Sequence, residues 1–164
     1  MTTKPGRSAE TSPEFTLRWA DLADLDDAVT LVTEFHAAEH VDQSAENRRN
    51  AVAMILADRS LGEFWMVEVD GQIAGYICIA YGFAIEFNGR DAFLDEFFMR
   101  PAYRGHGIGS RALMTVVKGT ATRGIKAMHL EVMAGNEAAM RIYEAQGFRH
   151  RQHYHLMSAY LGET

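Results

Sequence analysis

Apolar and polar positions along the chain follow patterns that predict a domain of strands and helices. Apolar and polar residues alternate over 15–20 and indicate a short strand. Over 25–35, apolar residues recur three and four positions apart, which predicts a helix. A second helix is expected over 44–58. Residues 63–82 follow as two strands that turn at Asp70-Gly71, a common tight-turn pair.

The second half of the chain alternates strands with helices. Residues 91–100 predict a buried strand, and helical spacing over 108–124 predicts the next helix. A strand over 127–133 and a helix over 136–146 follow. The extended, alternating segment 148–161 predicts a terminal strand or hairpin. The order is strand, two helices, three strands, helix, strand, helix, strand, which indicates an α/β domain with a mixed sheet.

Length and composition indicate one globular domain. The 164 residues are enough for a sizeable core. We expect a disordered polar tail over 1–13 and a single domain over 14–164. No apolar run approaches the roughly 20 residues of a membrane helix. The single cysteine, Cys78, fits a reducing cytoplasm. A net charge of −6 argues against general nucleic-acid binding. We therefore expect a cytoplasmic protein without nucleic-acid or membrane partners, and as its assembly a homodimer.

The stretch "YRGHGIGSRAL", residues 103–113, has three glycines at alternate positions between a predicted strand and a predicted helix. Its spacing does not match G-x-G-x-x-G, and no lysine follows the last glycine, so neither the dinucleotide fingerprint nor a P-loop fits. Amides at a helix N-terminus favour negative charge, and glycines would let a pyrophosphate approach them closely. Arg104 would add positive charge. A loop that only turns a strand into a helix is the alternative.

Two segments resemble the GNAT superfamily of N-acetyltransferases. "DEFFMRPAYRGHGIGSRALM" is similar to its signature, a strand followed by [Q/R]-x-x-G-x-[G/A] and a helix. "NEAAMRIYEAQGFRHR" resembles its second block, with Asn136 and Tyr143 seven apart before Gly147 and Phe148. The order of elements matches as well, so the resemblance covers nearly all of the chain except the tail.

The resemblance implies a GNAT-like acyl-CoA N-acyltransferase fold. This fold has a mixed, mostly antiparallel sheet that is splayed at the cofactor site, with helices on both faces. It also implies acetyl-CoA as donor and no metal. The Met99 amide would polarise the thioester carbonyl. The residues that the resemblance assigns to cofactor binding are Phe97, Phe98, Met99, Arg104, Gly105, His106, Gly107, Ile108, Gly109, Ser110, Asn136 and Ala139.

Acetyl transfer to an amine needs a base for the ammonium and an acid for the departing thiolate. Tyr143 is in the position that resembles the family's general acid. Asp95 and Glu96 are the candidate bases. Alternation predicts that these two carboxylates lie on opposite faces, with Asp95 beside Phe97 and Met99. In the polyamine branch of the family, the segment most similar to "LDEFFM" carries its base at the position of Asp95.

The signature segment is similar to that of polyamine and diamine acetyltransferases, which implies a small cationic amine as acceptor. We expect four carboxylates near it, Glu34, Glu39, Glu86 and Asp91. The alternatives are acetylation of a protein N-terminus or lysine, and a catalytically silent acyl-CoA-binding module. "HAAEH", residues 36–40, matches the H-x-x-E-H pattern of some zinc peptidases, but no persuasive third ligand follows it. A polar helix end near the acceptor is the preferred interpretation.

Overall fold

The computed structural model describes residues 13–162. The predicted tail therefore lies outside the described residues except for Pro13. Within the described part, the strands are β1 (Thr16–Trp19), β2 (Gly62–Val69), β3 (Gln72–Ala84), β4 (Gly89–Met99) and β5 (Met128–Leu130). The α-helices are α1 (Leu25–Glu39), α2 (Ala45–Ala57), α3 (Ile108–Thr122) and α4 (Glu137–Ala145).

The strands form a five-stranded sheet in the order β1-β2-β3-β4-β5. The first four are antiparallel neighbours, and β5 pairs with β4 in parallel. The predicted turn between β2 and β3 is present, with positive φ at both Asp70 and Gly71. This confirms the prediction of a mixed, mostly antiparallel sheet.

Local side-chain hydrogen bonds fix where several elements begin. Asp21 accepts from the amide of Ala23 and caps a short 3-10 turn before α1. Ser44 accepts from Asn47 at the start of α2. Asn136 accepts from Ala139 at the start of α4. These bonds satisfy amides that have no partner inside their helices.

Helices cover both faces of the sheet, as the resemblance implied. One core cluster, the α3 side, joins the sheet to α3 through Ile108, Ala112 and Leu113, and α4 packs on it through Ile142. The other cluster, the α1 side, is built on α1 and α2. Its helical members are Ala28, Leu31, Val32, Val52 and Leu56. Among residues 13–162, no helix has the length and apolar composition to cross a bilayer.

Two strand predictions differ from the structure. The strand expected over 127–133 is reduced to the three residues of β5. The terminal strand expected over 148–161 is wrong for the described chain, because no residue of this segment pairs with a strand. A β-strand needs a neighbour to take up its backbone hydrogen bonds, and here the segment is exposed from Arg149 onwards.

Candidate active site

The sheet opens between β4 and β5. The two strands pair only from Ala92 to Leu94, opposite Met128 to Leu130. Beyond Leu94, β4 remains paired with β3 as far as Met99, but within residues 13–162 its other edge has no strand partner. Backbone groups along this edge are therefore available to a ligand. The prediction of a sheet splayed beside the signature strand is confirmed.

A bulge in β4 changes which way the two candidate bases face. The register with β3 shifts between Cys78 and Ile79, which pair with Glu96 and Leu94, so Asp95 is an extra residue. Ala92 and Leu94 pack into the core on the α3 side, and so do Phe97 and Met99, which means that the alternation changes phase between these two pairs.

Asp95 and Glu96 therefore both lie on the face of the sheet that packs against α1 and α2, the α1 side. Asp95 and Glu96 both raise the pKa of the Cys78 thiol, after the larger effect of its burial. The expectation that they lie on opposite faces, with Asp95 beside Phe97 and Met99, is wrong. Simple alternation fails where a strand carries an extra residue.

Glu96 is held by two donors from the α1 side. The His36 Nε2 lies 2.7 Å from its Oε1, and the Tyr76 hydroxyl donates to its Oε2 at 2.7 Å. Arg48 of α2 directs its Nε at the other ring nitrogen of His36, Nδ1, at 3.4 Å. Because a guanidinium can only donate, Nδ1 must accept, and the ring proton is on Nε2. Both oxygens of Glu96 thus accept hydrogen bonds from the protein.

Asp95, unlike Glu96, is not held by other side chains in the described part of the chain. It makes no side-chain hydrogen bond within the described residues, and it is exposed to solvent. Protein atoms around it nonetheless desolvate the carboxylate, which raises its pKa, and the charge of Glu96 raises it further. An unbonded carboxylate with a raised pKa is suited to taking a proton from an amine.

The glycines of the loop before α3 have two different roles. Gly105 and Gly107 have positive φ, and Gly107 is the N-cap of α3. A Cβ on Gly109 would lie 3.0 Å from Phe97 Cζ and from Met99 Cγ. The first two therefore shape the turn, and the third allows α3 to approach β4 closely. Within the loop His106 is exposed, whereas Ile108 is buried in the core, so only its backbone is open to a ligand.

Arg104 and Ser110 are partly used within the protein. The Nε of Arg104 donates to the carbonyl of Met99 at 2.7 Å, and its guanidinium lies 5.5 Å from the ring centre of Phe98. This fastens the loop to the end of β4. The Ser110 hydroxyl accepts from the side-chain amide of Gln146, the C-cap of α4, at 3.2 Å.

Tyr143 lies on α4 and packs against the core of the α3 side. It is half-buried, and its ring makes an edge contact with Phe148 at 6.0 Å between centroids. Desolvation raises its pKa, and the charge of Glu39 at the end of α1 raises it further. A tyrosine with a pKa above its usual value is protonated at neutral pH, as a general acid must be.

Of the four carboxylates expected near the acceptor, the structure associates only Glu39 with a candidate catalytic group. Glu34 pairs with Arg100 at 2.8 Å and Glu86 with Arg151 at 3.0 Å. Asp91 lies 3.6 Å from His129. The sequence did not single out Glu131, whose charge contributes to raising the pKa of Asp95 after the larger effects of desolvation and of Glu96.

Sequence reasoning also missed the surroundings of Glu96. His36 is 7% exposed and faces the sheet, whereas His40 is an exposed residue with positive φ after α1. The described residues contain no group of three metal-ligating side chains. The signal for Tyr76 was a tyrosine inside an apolar strand, because a buried hydroxyl needs a hydrogen-bond partner.

A family model described as the acetyltransferase (GNAT) family matches residues 19–148. The chain belongs to this family. The match includes every candidate site residue named above, from His36 to Tyr143.

Two relatives are acetyltransferases named for thialysine and for spermidine/spermine. The chain is 29% identical to bovine (Bos taurus) thialysine N-epsilon-acetyltransferase, over 50% of this chain and 51% of the relative. It is 25% identical to the human (Homo sapiens) spermidine/spermine N(1)-acetyltransferase-like protein 1, over 81% of this chain and 20% of that protein. The chain thus spans about half the length of the bovine relative and a fifth of the human one.

The fold is shared with solved structures. One is an integron cassette protein from the mobile metagenome of Cole Harbour Salt Marsh, which is 28% identical to this chain with a TM-score of 0.79. The alignment covers 90% of this chain and 91% of that protein.

Proposed function

We propose that this protein transfers the acetyl group of acetyl-CoA directly to a primary amine, without a covalent enzyme intermediate. The observation that carries the proposal is the unpaired edge of β4, which begins at Asp95 and leads to the N-terminus of α3. This edge offers backbone groups to the pantetheine arm, and the amides of Gly105 to Ser110 offer a site for the pyrophosphate. Asn136 and Ala139, at the start of α4, complete the proposed cofactor site.

Asp95 is the proposed base. It takes a proton from the acceptor ammonium, directly or through a water, and the freed lone pair of the nitrogen attacks the thioester carbon. The amide of Met99 donates to the carbonyl oxygen as negative charge develops there. The carbon–sulfur bond then breaks, and Tyr143 gives its proton to the leaving thiolate. The raised pKa values of Asp95 and of Tyr143 support these roles. Glu96 is the alternative base, but both of its oxygens already accept hydrogen bonds.

The proposed acceptor is a small cationic amine. After the larger effect of desolvation, the charge of Glu39 raises the pKa of Tyr143, and the charges of Glu96 and Glu131 raise the pKa of Asp95. Negative charge therefore lies near both proposed catalytic groups. Carboxylates around a cleft raise the local concentration of a cation. The names of the bovine and human relatives, a thialysine and a spermidine/spermine-like acetyltransferase, support the same class.

An amine panel tests the acceptor class. Polyamines, diamines, thialysine, aminoglycosides and peptides with a free N-terminus or a lysine are compared by the release of free CoA thiol. We expect the highest kcat/KM for a small di- or polyamine, and a decrease in kcat/KM as ionic strength rises. A peptide that is acetylated faster than every small amine would assign the protein to the N-terminal or lysine class. Tight acetyl-CoA binding without turnover on any amine would identify a silent binding module.

Gly107→Val tests the cofactor site independently of turnover. Valine at a positive φ is strained, and its side chain would project where the pyrophosphate must approach the amides of the loop. We expect calorimetry to show at least a tenfold loss of acetyl-CoA affinity. The matched control is Gly124→Val, which has similar backbone strain at the other end of α3 and should leave this affinity unchanged. Equal affinity of wild type and Gly107→Val would contradict the proposed site.

We also propose a cytoplasmic homodimer. The segment 149–162 supports an assembly, because it is exposed along its whole length and carries a series of large apolar side chains. These are Tyr154, Leu156, Met157, Tyr160 and Leu161. Such surface is rarely left open to water in a monomer. Sedimentation of the full chain and of a chain truncated after residue 148 tests the proposal. A monomeric full chain would contradict it.

A further inference from the structure

His36 is a buried histidine that the proposed reaction does not use. It lies on α1, is 7% exposed, and directs its Nε2 at Glu96, sixty residues later in the chain. The opposite side of its ring faces Arg48 of α2, whose Nε can only donate to Nδ1. Arg48 is itself fastened by hydrogen bonds to the Thr33 hydroxyl and the Gln43 carbonyl. The imidazole is therefore held in one tautomer, with its proton directed at the carboxylate.

Glu96 has no cationic partner in this arrangement. Its two hydrogen bonds come from a neutral imidazole and a phenol, and no lysine or arginine pairs with it among residues 13–162. Donors that bond to a carboxylate favour its charged form. The negative charge of Glu96 is thus stabilised but not neutralised, and it lies one residue from Asp95 at the bulge.

Resting on the proposed function, we propose that His36 is a positioning residue: its Nε2–H fixes the Glu96 carboxylate as a charged group next to Asp95, and this charge makes Asp95 a stronger base for the acceptor ammonium. His36 itself touches neither acceptor nor donor. Its effect passes through Glu96, which it holds in position together with the Tyr76 hydroxyl. A residue of α1, on the face of the sheet opposite α3, therefore influences how strongly Asp95 acts as a base.

The groups that face this cluster decide the sign of the effect. Glu96 and Glu131 both raise the pKa of Asp95, whereas a proton on His36 would act in the opposite direction. Tyr76 and Cys78 of β3 are neutral at working pH, since burial raises the pKa of both groups. Without the His36 donor, only the Tyr76 hydroxyl still holds the Glu96 carboxylate beside Asp95. A weaker effect of Glu96 on Asp95 then lowers the pKa of Asp95.

The experiment compares His36→Leu with His36→Gln. Leucine fills a similar volume without a donor, whereas the side-chain amide of glutamine can still donate to Glu96. For His36→Leu we expect the acidic limb of the kcat/KM profile to move down by about 0.5–1 pH unit, the effect of one unit charge some 5–10 Å away in a partly hydrated site. For His36→Gln we expect the limb to stay within about 0.2 units of wild type.

Two further measurements keep the test decisive. Acetyl-CoA affinity should be the same in all three proteins, because α1 is not part of the proposed cofactor site. Carbon NMR titration of the Asp95 carboxyl reports its pKa without turnover, and should show the same decrease in His36→Leu. If wild type acetylates no amine, the proposed function fails while this titration still decides the role of His36.

An unchanged Asp95 titration in His36→Leu would overturn the proposal, as would a His36→Gln variant that behaves like His36→Leu. If His36→Leu does not fold, nitrogen NMR of the wild-type imidazole takes its place. We expect the ring proton on Nε2 at mildly alkaline pH, with Nδ1 accepting from Arg48. A proton on Nδ1, or on both nitrogens, would refute the arrangement.

Discussion

Glu63 and Glu96 are two glutamates on opposite faces of the same sheet, and the structure treats them differently. Each accepts from a tyrosine hydroxyl, Tyr81 for Glu63 and Tyr76 for Glu96. Glu63 also accepts two hydrogen bonds from Arg123, at 2.9 and 2.8 Å, and one from the Trp65 indole at 2.7 Å. Glu96 has only His36 in addition.

The difference lies in the partner charge rather than in the glutamate. Arg123 neutralises Glu63, whose side chain is only 5% exposed, so this pair binds the end of α3 to β2. Glu96, with its side chain 20% exposed, keeps an uncompensated charge next to Asp95. A buried carboxylate paired with a guanidinium is a structural element, whereas one held by neutral donors can act on its neighbours electrostatically.

The largest expected effect is a loss of kcat/KM when Asp95, the group next to Glu96, is replaced. Asp95→Asn should lower kcat/KM by about 10²- to 10⁴-fold, because an amide cannot accept the ammonium proton. Glu96→Gln should lower kcat/KM by only about tenfold, because it removes a neighbouring charge and leaves the base in place. The control is Asp91→Asn, which removes a carboxylate of the same strand that pairs with His129, and it should change kcat/KM little. Steady-state kinetics on the best amine of the panel measure all three, and a larger loss in Glu96→Gln than in Asp95→Asn would exchange the two roles.

The next effect concerns the structural glutamate. Arg123→Leu leaves the charge of Glu63 buried without its partner and should lower the free energy of unfolding by about 2–4 kcal/mol, less than a fully buried pair because Arg123 is partly exposed. Denaturant unfolding measures it. The matched control is Arg49→Leu, which breaks the exposed pair with Asp26 and should cost at most about 0.5 kcal/mol. Equal losses in the two variants would remove the distinction between these pairs.

The smallest effect separates the two tyrosines. Tyr76→Phe and Tyr81→Phe each remove one hydroxyl that donates to a carboxylate, and each should lower the free energy of unfolding by about 1–2 kcal/mol. Only Tyr76→Phe should also move the acidic limb of kcat/KM to lower pH, because Glu96 contributes to the raised pKa of Asp95 and Glu63 does not. The pH profiles of both variants, measured on the same amine, check this. A shift in Tyr81→Phe would show that the effect is not specific to Glu96.

The fold and part of the site could be predicted because their signals are local or carried by a motif. The order of elements as far as α4 followed from the apolar pattern, and it is confirmed. The splayed sheet and the GNAT family followed from the glycine loop and the "NEAAMRIYEAQGF" block, and both are confirmed. The terminal strand over 148–161 could not be predicted correctly from its alternation. Alternation indicates that a segment is able to pair, but a strand forms only where a neighbouring strand is in reach.

The sequence by itself determined the features that depend on a few neighbouring residues. Capping by Ser44 and Asn136, the turn at Asp70-Gly71 and the positive φ of Gly107 each follow from short-range hydrogen bonds or sterics. The tertiary structure alone decided how the candidate acid–base groups are arranged. The bulge at Asp95 depends on pairing with β3, and the contact of His36 with Glu96 joins residues sixty apart. Electrostatic effects depend on distance in space, which a pattern of residue types along the chain does not contain.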